Sequence, residues 1–178
     1  MTFPTFSGGE VLDASDMNAI GLWLVKTQAV GSAVPDVEVT GAFSSDYDNY
    51  LVTLEGCTVS TSTSIGIHLG ASTTGYYGFL NYGATGSNSP QGAQINNAVR
   101  FLYAGGGNTG QNAHVYINVF GPNKARYTKF IGGAYQDGTN YGAAYGEHQV
   151  ATAFTAFTLT PGSGTLTGGT IRVYGYRN

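Results

Sequence analysis

The sequence is poor in charge and contains one cysteine. Asp, Glu, Lys and Arg make up 10% of its 178 residues, against about 25% in ordinary globular domains. The net charge is −3, whereas a nucleic-acid-binding protein needs clustered Lys and Arg to neutralise phosphates. Cys57 has no second cysteine with which to form a disulfide within the chain or a thiolate metal cluster. These features argue against a dedicated nucleic-acid binder and against a disulfide scaffold.

Long apolar runs and a secretory signal are also missing. No stretch approaches the roughly 18 consecutive apolar residues that a membrane-spanning helix requires. The first residues lack the basic start and the apolar run of a secretory signal. We therefore expect a protein that is made in the cytoplasm and does not insert into membranes.

Short β-prone runs account for most of the chain. The run "HVYINVF" places Val115, Ile117 and Val119 on one face, and "TIRVYGYR" does the same for Ile171 and Val173. Strands with one apolar and one polar or amphipathic face belong to antiparallel sheets that are exposed on one side. The pattern predicts an all-β fold, an antiparallel β-sandwich of jelly-roll type.

Eleven strands are predicted within one β-sandwich domain spanning residues 22–178. We expect them at residues 23–30, 37–40, 50–55, 64–70, 76–82, 98–103, 113–120, 127–132, 143–149, 153–159 and 170–176. Segments 83–94 and 105–112 combine Gly with Ser or Asn and have no apolar period, which predicts long exposed loops. Residues 160–170 indicate two turns around a brief strand or bulge at Leu166.

A short helix is predicted ahead of the strands. Asp13 is a good N-cap, and Asp16 adds negative charge to the first turn, where the helix dipole favours it. Gly21 supplies the helix stop. These signals predict a helix of about two turns at residues 14–20 within an N-terminal arm, residues 1–21. Such a short helix needs a surface against which to pack.

Few residues have the arrangement of a metal site. His68, His114 and His148 form no HxH or HExxH motif, although neighbouring strands could bring two of them together. Asp46 and Asp48 resemble the start of a cation-binding loop, but Asp residues before a strand also bond their own backbone in turns. We predict ordinary surface or edge histidines, turn carboxylates, and no metal or other cofactor.

Catalytic motifs are equally scarce. The sequence contains no GxSxG motif, no P-loop and no dinucleotide fingerprint placed between a strand and a helix. Glycoside hydrolysis needs two facing carboxylates, and Asp137 with Glu147 is a conceivable pair that nothing in the sequence requires. We predict a protein that is not an enzyme.

Tyrosine is the most informative residue type, with 13 copies. Rings near Gly- and Asn-rich turns can stack on sugar faces or fill a subunit contact, while half-buried strand positions are the structural alternative. The candidate residues for glycan or subunit contact are Tyr76, Tyr77, Tyr82, Tyr135, Tyr141 and Tyr145.

Both ends of the sequence resemble small virion proteins of tailed bacteriophages. The stretch "GEVLDASDMN", residues 9–18, is similar to the start of tail and fibre proteins, and "TIRVYGY", residues 170–176, is similar to the end of their β-domains. The likeness covers roughly the first 55 and the last 25 residues. It implies a β-sandwich carried on the virion and assembled as a homotrimer, and it carries over no catalytic residues.

The resemblance also implies a role for the arm. We expect its helix to dock onto a neighbouring subunit or another virion protein in the tail, neck or capsid through an apolar stripe formed by Val11, Leu12, Met17 and Ile20. The alternative is that the helix covers an open end of its own sandwich.

Three functions remain open at this stage. The first is a tail-fibre or appendage subunit whose loops contact host surface glycans. The second is a capsid decoration or cement protein, present in hundreds of copies per particle. The third, from a different class, is a free carbohydrate-binding module or glycan hydrolase.

Overall fold

The computed structural model describes residues 21–136 and 139–176, with the backbone alone described for residues 133–136. The predicted helix at residues 14–20 and its stripe, Val11, Leu12, Met17 and Ile20, lie outside the described residues. Within the described part of the chain, all regular structure is β-strand, and no helix is long and apolar enough to cross a membrane. The strands are β1 (Leu22–Ala29), β2 (Val37–Val39), β3 (Asn49–Val59), β4 (Thr63–Leu69), β5 (Tyr76–Ala84), β6 (Gln91–Ala98), β7 (Phe101–Gly107), β8 (Asn112–Phe120), β9 (Thr128–Gln136), β10 (Asn140–His148), β11 (Phe157–Pro161), β12 (Leu166–Thr167) and β13 (Thr170–Tyr176).

The strands form two packed layers. The wide sheet has the order β1-β13-β3-β8-β9-β10-β5-β6, and the narrow sheet has the order β2-β11-β4-β7. β12 pairs with the end of β3, and β7 joins the two layers by pairing with β8 at Gly105–Val115 and Gly106–His114. The pairs between these strands are antiparallel. The predicted all-β antiparallel sandwich is confirmed.

The core lies between the two sheets, on the inner face of the wide sheet. Val115, Ile117 and Val119 of β8 are buried, as are Ile171 and Val173 of β13, and the residues between them are more exposed. This is the alternation that the sequence predicts. Burial of each large apolar side chain contributes about 1.5–3 kcal/mol, so these rows stabilise the register of the central strands.

Glycines on the inner face let the narrow sheet approach closely. The ring of Phe101, in β7, stacks on Phe130, in β9, with centroids 5.0 Å apart and planes inclined by 16°. A Cβ atom at Gly78 or Gly146 would lie 3.1 Å or 2.6 Å from this ring. Any larger residue at these two positions would therefore push the Phe101 ring out of its place.

Two predicted loops are wrong. Segment 83–94 is not one long loop, because β5 continues to Ala84 and β6 begins at Gln91, and the two strands form a hairpin. The polar run of β6 is held by backbone pairing with β5 and by one buried side chain, Ile95. Segment 105–112 is also shorter as a loop, because β7 extends to Gly107. Glycine at position 105 allows β7 and β8 to approach closely, because a Cβ atom there would collide with the carbonyl of His114.

Candidate functional site

Five of the six candidate tyrosines divide into three environments. Tyr76 lies in the core, and Tyr82 and Tyr141 lie at one end of the wide sheet, where β5 pairs with β10. Tyr77 and Tyr145 lie on the outer face of the wide sheet, the face turned away from the narrow sheet. Tyr135 is in β9, and its side chain lies outside the described part of the molecule.

Tyr76 is a core residue rather than a contact residue. Its ring is fully buried, and its Oη accepts a hydrogen bond from the Leu69 N–H at 2.7 Å. Burial raises the pKa of Tyr76 to about 12, against a smaller opposing effect of its hydrogen bonds. The prediction that Tyr76 contacts a glycan or a subunit is corrected for this reason: the ring faces the sandwich interior, where no partner reaches it.

Tyr82 and Tyr141 contribute to one open groove of ≈ 360 Å³ beside the β5–β6 hairpin. We call it the hairpin groove, and its lining residues are Asn81, Tyr82, Gly83, Ser87, Asn88, Ser89, Pro90 and Tyr141. Tyr141 and Gly83 are register partners, and Tyr141 is exposed. A Cβ at Gly83 would meet no atom within 4 Å, so the groove is open above this position.

Hydrogen bonds hold the loop between β5 and β6 in place beside the groove. The Thr85 N–H and hydroxyl both donate to the Thr139 carbonyl, at 2.7 Å and 3.2 Å, and tie the hairpin to the residue that precedes β10. The Ser87 N–H donates to the Ala84 carbonyl at 3.0 Å, and Ser87 Oγ accepts from the Ser89 N–H at 3.2 Å. The loop therefore has a defined shape beside the Tyr141 ring.

The chemistry of the groove is aromatic, amide and hydroxyl. No lining residue carries a charge, and Tyr82 Oη donates to Gln91 Oε1 at 2.9 Å, which fixes that ring. Two tyrosines with amide and hydroxyl groups around them suit a neutral polyhydroxylated ligand. The sequence alone identified the two tyrosines but not Asn81, Asn88 or Pro90. The "SNSP" turn between two strands is the signal that could have found the last two.

His148 is buried at the other end of β10. Its Nε2 lies 2.8 Å from Ser72 Oγ and 3.1 Å from the Thr74 carbonyl oxygen. Burial lowers the pKa of His148, with partial opposition from the Thr74 hydrogen bond. The prediction of a surface or edge position is therefore wrong for His148. No group of three or more His, Cys, Asp or Glu side chains is arranged to hold a metal ion within residues 21–136 and 139–176.

The candidate carboxylates are held in structural roles. Asp46 accepts a hydrogen bond from the Ser44 hydroxyl at 3.0 Å, which is turn chemistry. Asp48 forms an ion pair with Lys124 at 2.7 Å.

Glu147 accepts hydrogen bonds from Lys129 at 2.9 Å and from Gln149 at 2.7 Å. These two bonds lower the pKa of Glu147, whereas a glycosidase general acid needs a raised pKa. Asp137, the other member of the conceivable pair, lies outside the described residues.

The chain matches no protein-family model, no curated protein and no solved structure.

Proposed function

We propose that this chain is a structural subunit of a tailed-bacteriophage virion, a tail-fibre or appendage protein that contacts neutral glycans on the host surface. The observation that carries the proposal is the resemblance of residues 9–18 and 170–176 to the ends of phage tail and fibre proteins. The protein is made in the host cytoplasm and attaches to other virion proteins through residues 1–21. It assembles as a homotrimer.

The hairpin groove supports the glycan part of the proposal. Tyrosine rings stack against the C–H faces of sugars, and the Asn and Ser side chains beside them pair with sugar hydroxyls. The uncharged lining favours neutral sugars over sialylated or phosphorylated ones. Gly83 leaves space above the β5–β10 pair, so a ligand can lie close to the backbone.

The proposed role is binding without catalysis. Glu147 is kept ionised by Lys129 and Gln149, so it is poorly suited to donate a proton to a leaving group. Weak single contacts are sufficient in a fibre, because several copies of one groove raise avidity without new chemistry. A homotrimer would present three such grooves.

Glycan binding tests the role of the groove. The full-length protein is applied to an array of neutral and charged oligosaccharides, and the best ligand is titrated by calorimetry. Tyr141→Ala should weaken binding at least tenfold, because the exposed stacking surface is lost. Tyr127→Ala is the matched control, since Tyr127 has a similar exposure outside the groove. Release of a shortened product from the array ligand would contradict the proposal of a non-enzymatic protein.

Incorporation into particles tests the role in the virion. Mass spectrometry of purified phage should find the protein in a few to dozens of copies, whereas hundreds would indicate a capsid decoration protein. Deletion of residues 1–21 should leave a folded domain that no longer joins the particle. Particles that still carry the shortened protein would contradict docking through the arm.

A further inference from the structure

One row of side chains crosses seven strands on the outer face of the wide sheet. Each member is the register partner of the next, and the row runs through Tyr174, Leu51, Asn118, Ile131, Tyr145 and Phe79. Leu24 extends the row at the β1 end, opposite Tyr174. We call these residues the outer row. All of them except Asn118 have aromatic or aliphatic side chains.

The outer row exposes large apolar groups to water. The exposed fractions are 56% for Leu24, 40% for Ile131, 52% for Tyr145 and 45% for Phe79, whereas Leu51, near the middle of the row, is buried at 5%. Tyr116, in the neighbouring row of the same face, is 49% exposed. Single exposed apolar residues are ordinary, but Ile131, Tyr145 and Phe79 lie on three adjacent strands of one face, and such a contiguous set marks an interaction surface.

The outer face carries no net charge among its described strand residues. Arg172 pairs with Glu55 at 3.2 Å on one side of the outer row. Lys129 pairs with Glu147 at 2.9 Å on the other side. Two copies of this face can therefore approach each other without the repulsion that like charges cause, and a strongly charged partner gains nothing from it.

The size of the face fits association between copies. Seven strands spaced about 4.8 Å apart and three rows of outward side chains cover roughly 700 Å². A stable protein–protein interface buries about 800 Å² on each partner. Tyr, Phe and aliphatic side chains at the centre, with ion pairs at the margin, match the composition of such interfaces.

Residues 1–20 are a poorer occupant of this face. They contain Glu10, Asp13 and Asp16 and no Lys, Arg or His. A neutral face offers these three carboxylates no compensating positive charge.

We propose that the outer row is the surface through which copies of this chain associate. The proposal rests on the homo-oligomer of the proposed function and names the face that forms it. In a trimer each half of the face contacts a different neighbour around the threefold axis, so each subunit buries the face in two contacts of roughly 350 Å². The narrow sheet and the hairpin groove need not take part.

Light scattering on the full-length protein, coupled to size exclusion, tests the proposal. The wild type should be oligomeric at micromolar concentration. Tyr145→Lys and Ile131→Lys should each raise the dissociation constant of the oligomer at least tenfold, because they place several like charges in one apolar contact. Both side chains are exposed in the single chain, so the circular dichroism spectrum should not change. The Tm should match that of the wild type when both proteins are compared at a concentration low enough for both to be monomeric.

Val99→Lys is the matched control, because Val99 is exposed to 53% but lies between β6 and β7, outside the outer row. This variant should remain oligomeric. A monomeric wild type, including one whose face is covered by its own arm, would overturn the proposal, and so would oligomers that survive Tyr145→Lys and Ile131→Lys. Neither result depends on virion incorporation or glycan binding, which have separate tests.

Discussion

His148 lies face to face with Tyr76 in the core, with ring centroids 4.2 Å apart and planes inclined by 20°. The two residues are register partners on β10 and β5. The ring of Phe154 also packs against the His148 ring, with the two ring centroids 5.3 Å apart. A neutral imidazole suits this aromatic environment, and a charged imidazolium would lose its hydration there.

Stability should therefore fall as the solution is acidified. Burial lowers the pKa of His148 in the folded protein, so the unfolded chain binds more protons once the pH drops below about 6.5. The free energy of unfolding, measured by urea titration, should decrease from pH 7 towards pH 5. His148→Gln should show a smaller decrease over the same range. The pH dependence of stability that remains in this variant would come from His68. Its pKa is lowered chiefly by burial and secondly by the positive charge of Arg100. An unchanged pH dependence in His148→Gln would contradict this assignment.

Removing the hydroxyl of Tyr76 should destabilise the fold. In Tyr76→Phe, the buried Leu69 N–H loses the acceptor that lies 2.7 Å away. An unpaired buried donor costs about 1–3 kcal/mol, which chemical denaturation can measure. Tyr127→Phe is the control, because that ring is exposed, and surface changes usually stay within about 0.5 kcal/mol. If Tyr76→Phe and Tyr127→Phe had the same free energy of unfolding, the Tyr76 hydroxyl would contribute nothing to the stability of the fold.

Two glycines beside the hairpin groove should differ in their tolerance of the same substitution. In Gly142→Ala, the new methyl group would collide with the Asn81 carbonyl and lie 2.7 Å from Tyr82 Cα. We expect a loss of about 1–3 kcal/mol from this overpacking. Gly83→Ala meets no atom within 4 Å, so thermal unfolding should be unchanged or occur at a slightly higher temperature. A stable Gly142→Ala protein would contradict the close approach of β5 and β10.

Periodicity was sufficient to predict the strands in which apolar and polar residues alternate. β8 and β13 follow this pattern, and their predicted core faces are buried. β6 could not be predicted in this way, because "QGAQINNA" has one large apolar residue and gains its order from pairing with β5. The end of β7 was missed because glycine has two uses, in turns and at close strand contacts.

The candidate site depended on information that one sequence does not contain. Tyr76 and Tyr77 are adjacent, and only the register of β5 decides that the first ring is inside and the second is on the outer face. The hairpin groove brings Tyr141 beside residues about 50–60 positions earlier in the chain. The outer row joins seven strands whose spatial order differs from their chain order.

The position of β13 between β1 and β3 has a consequence for biosynthesis. β13 is the last of the thirteen strands to leave the ribosome, yet it pairs on one side with the first, where Leu22 faces Tyr176. A nascent chain therefore cannot close its largest layer until translation has passed residue 176, and β1 and β3 keep unpaired backbone groups until then. Such long-range closure is slow, which makes the interval before it the time at which a chaperone would be most useful to this protein.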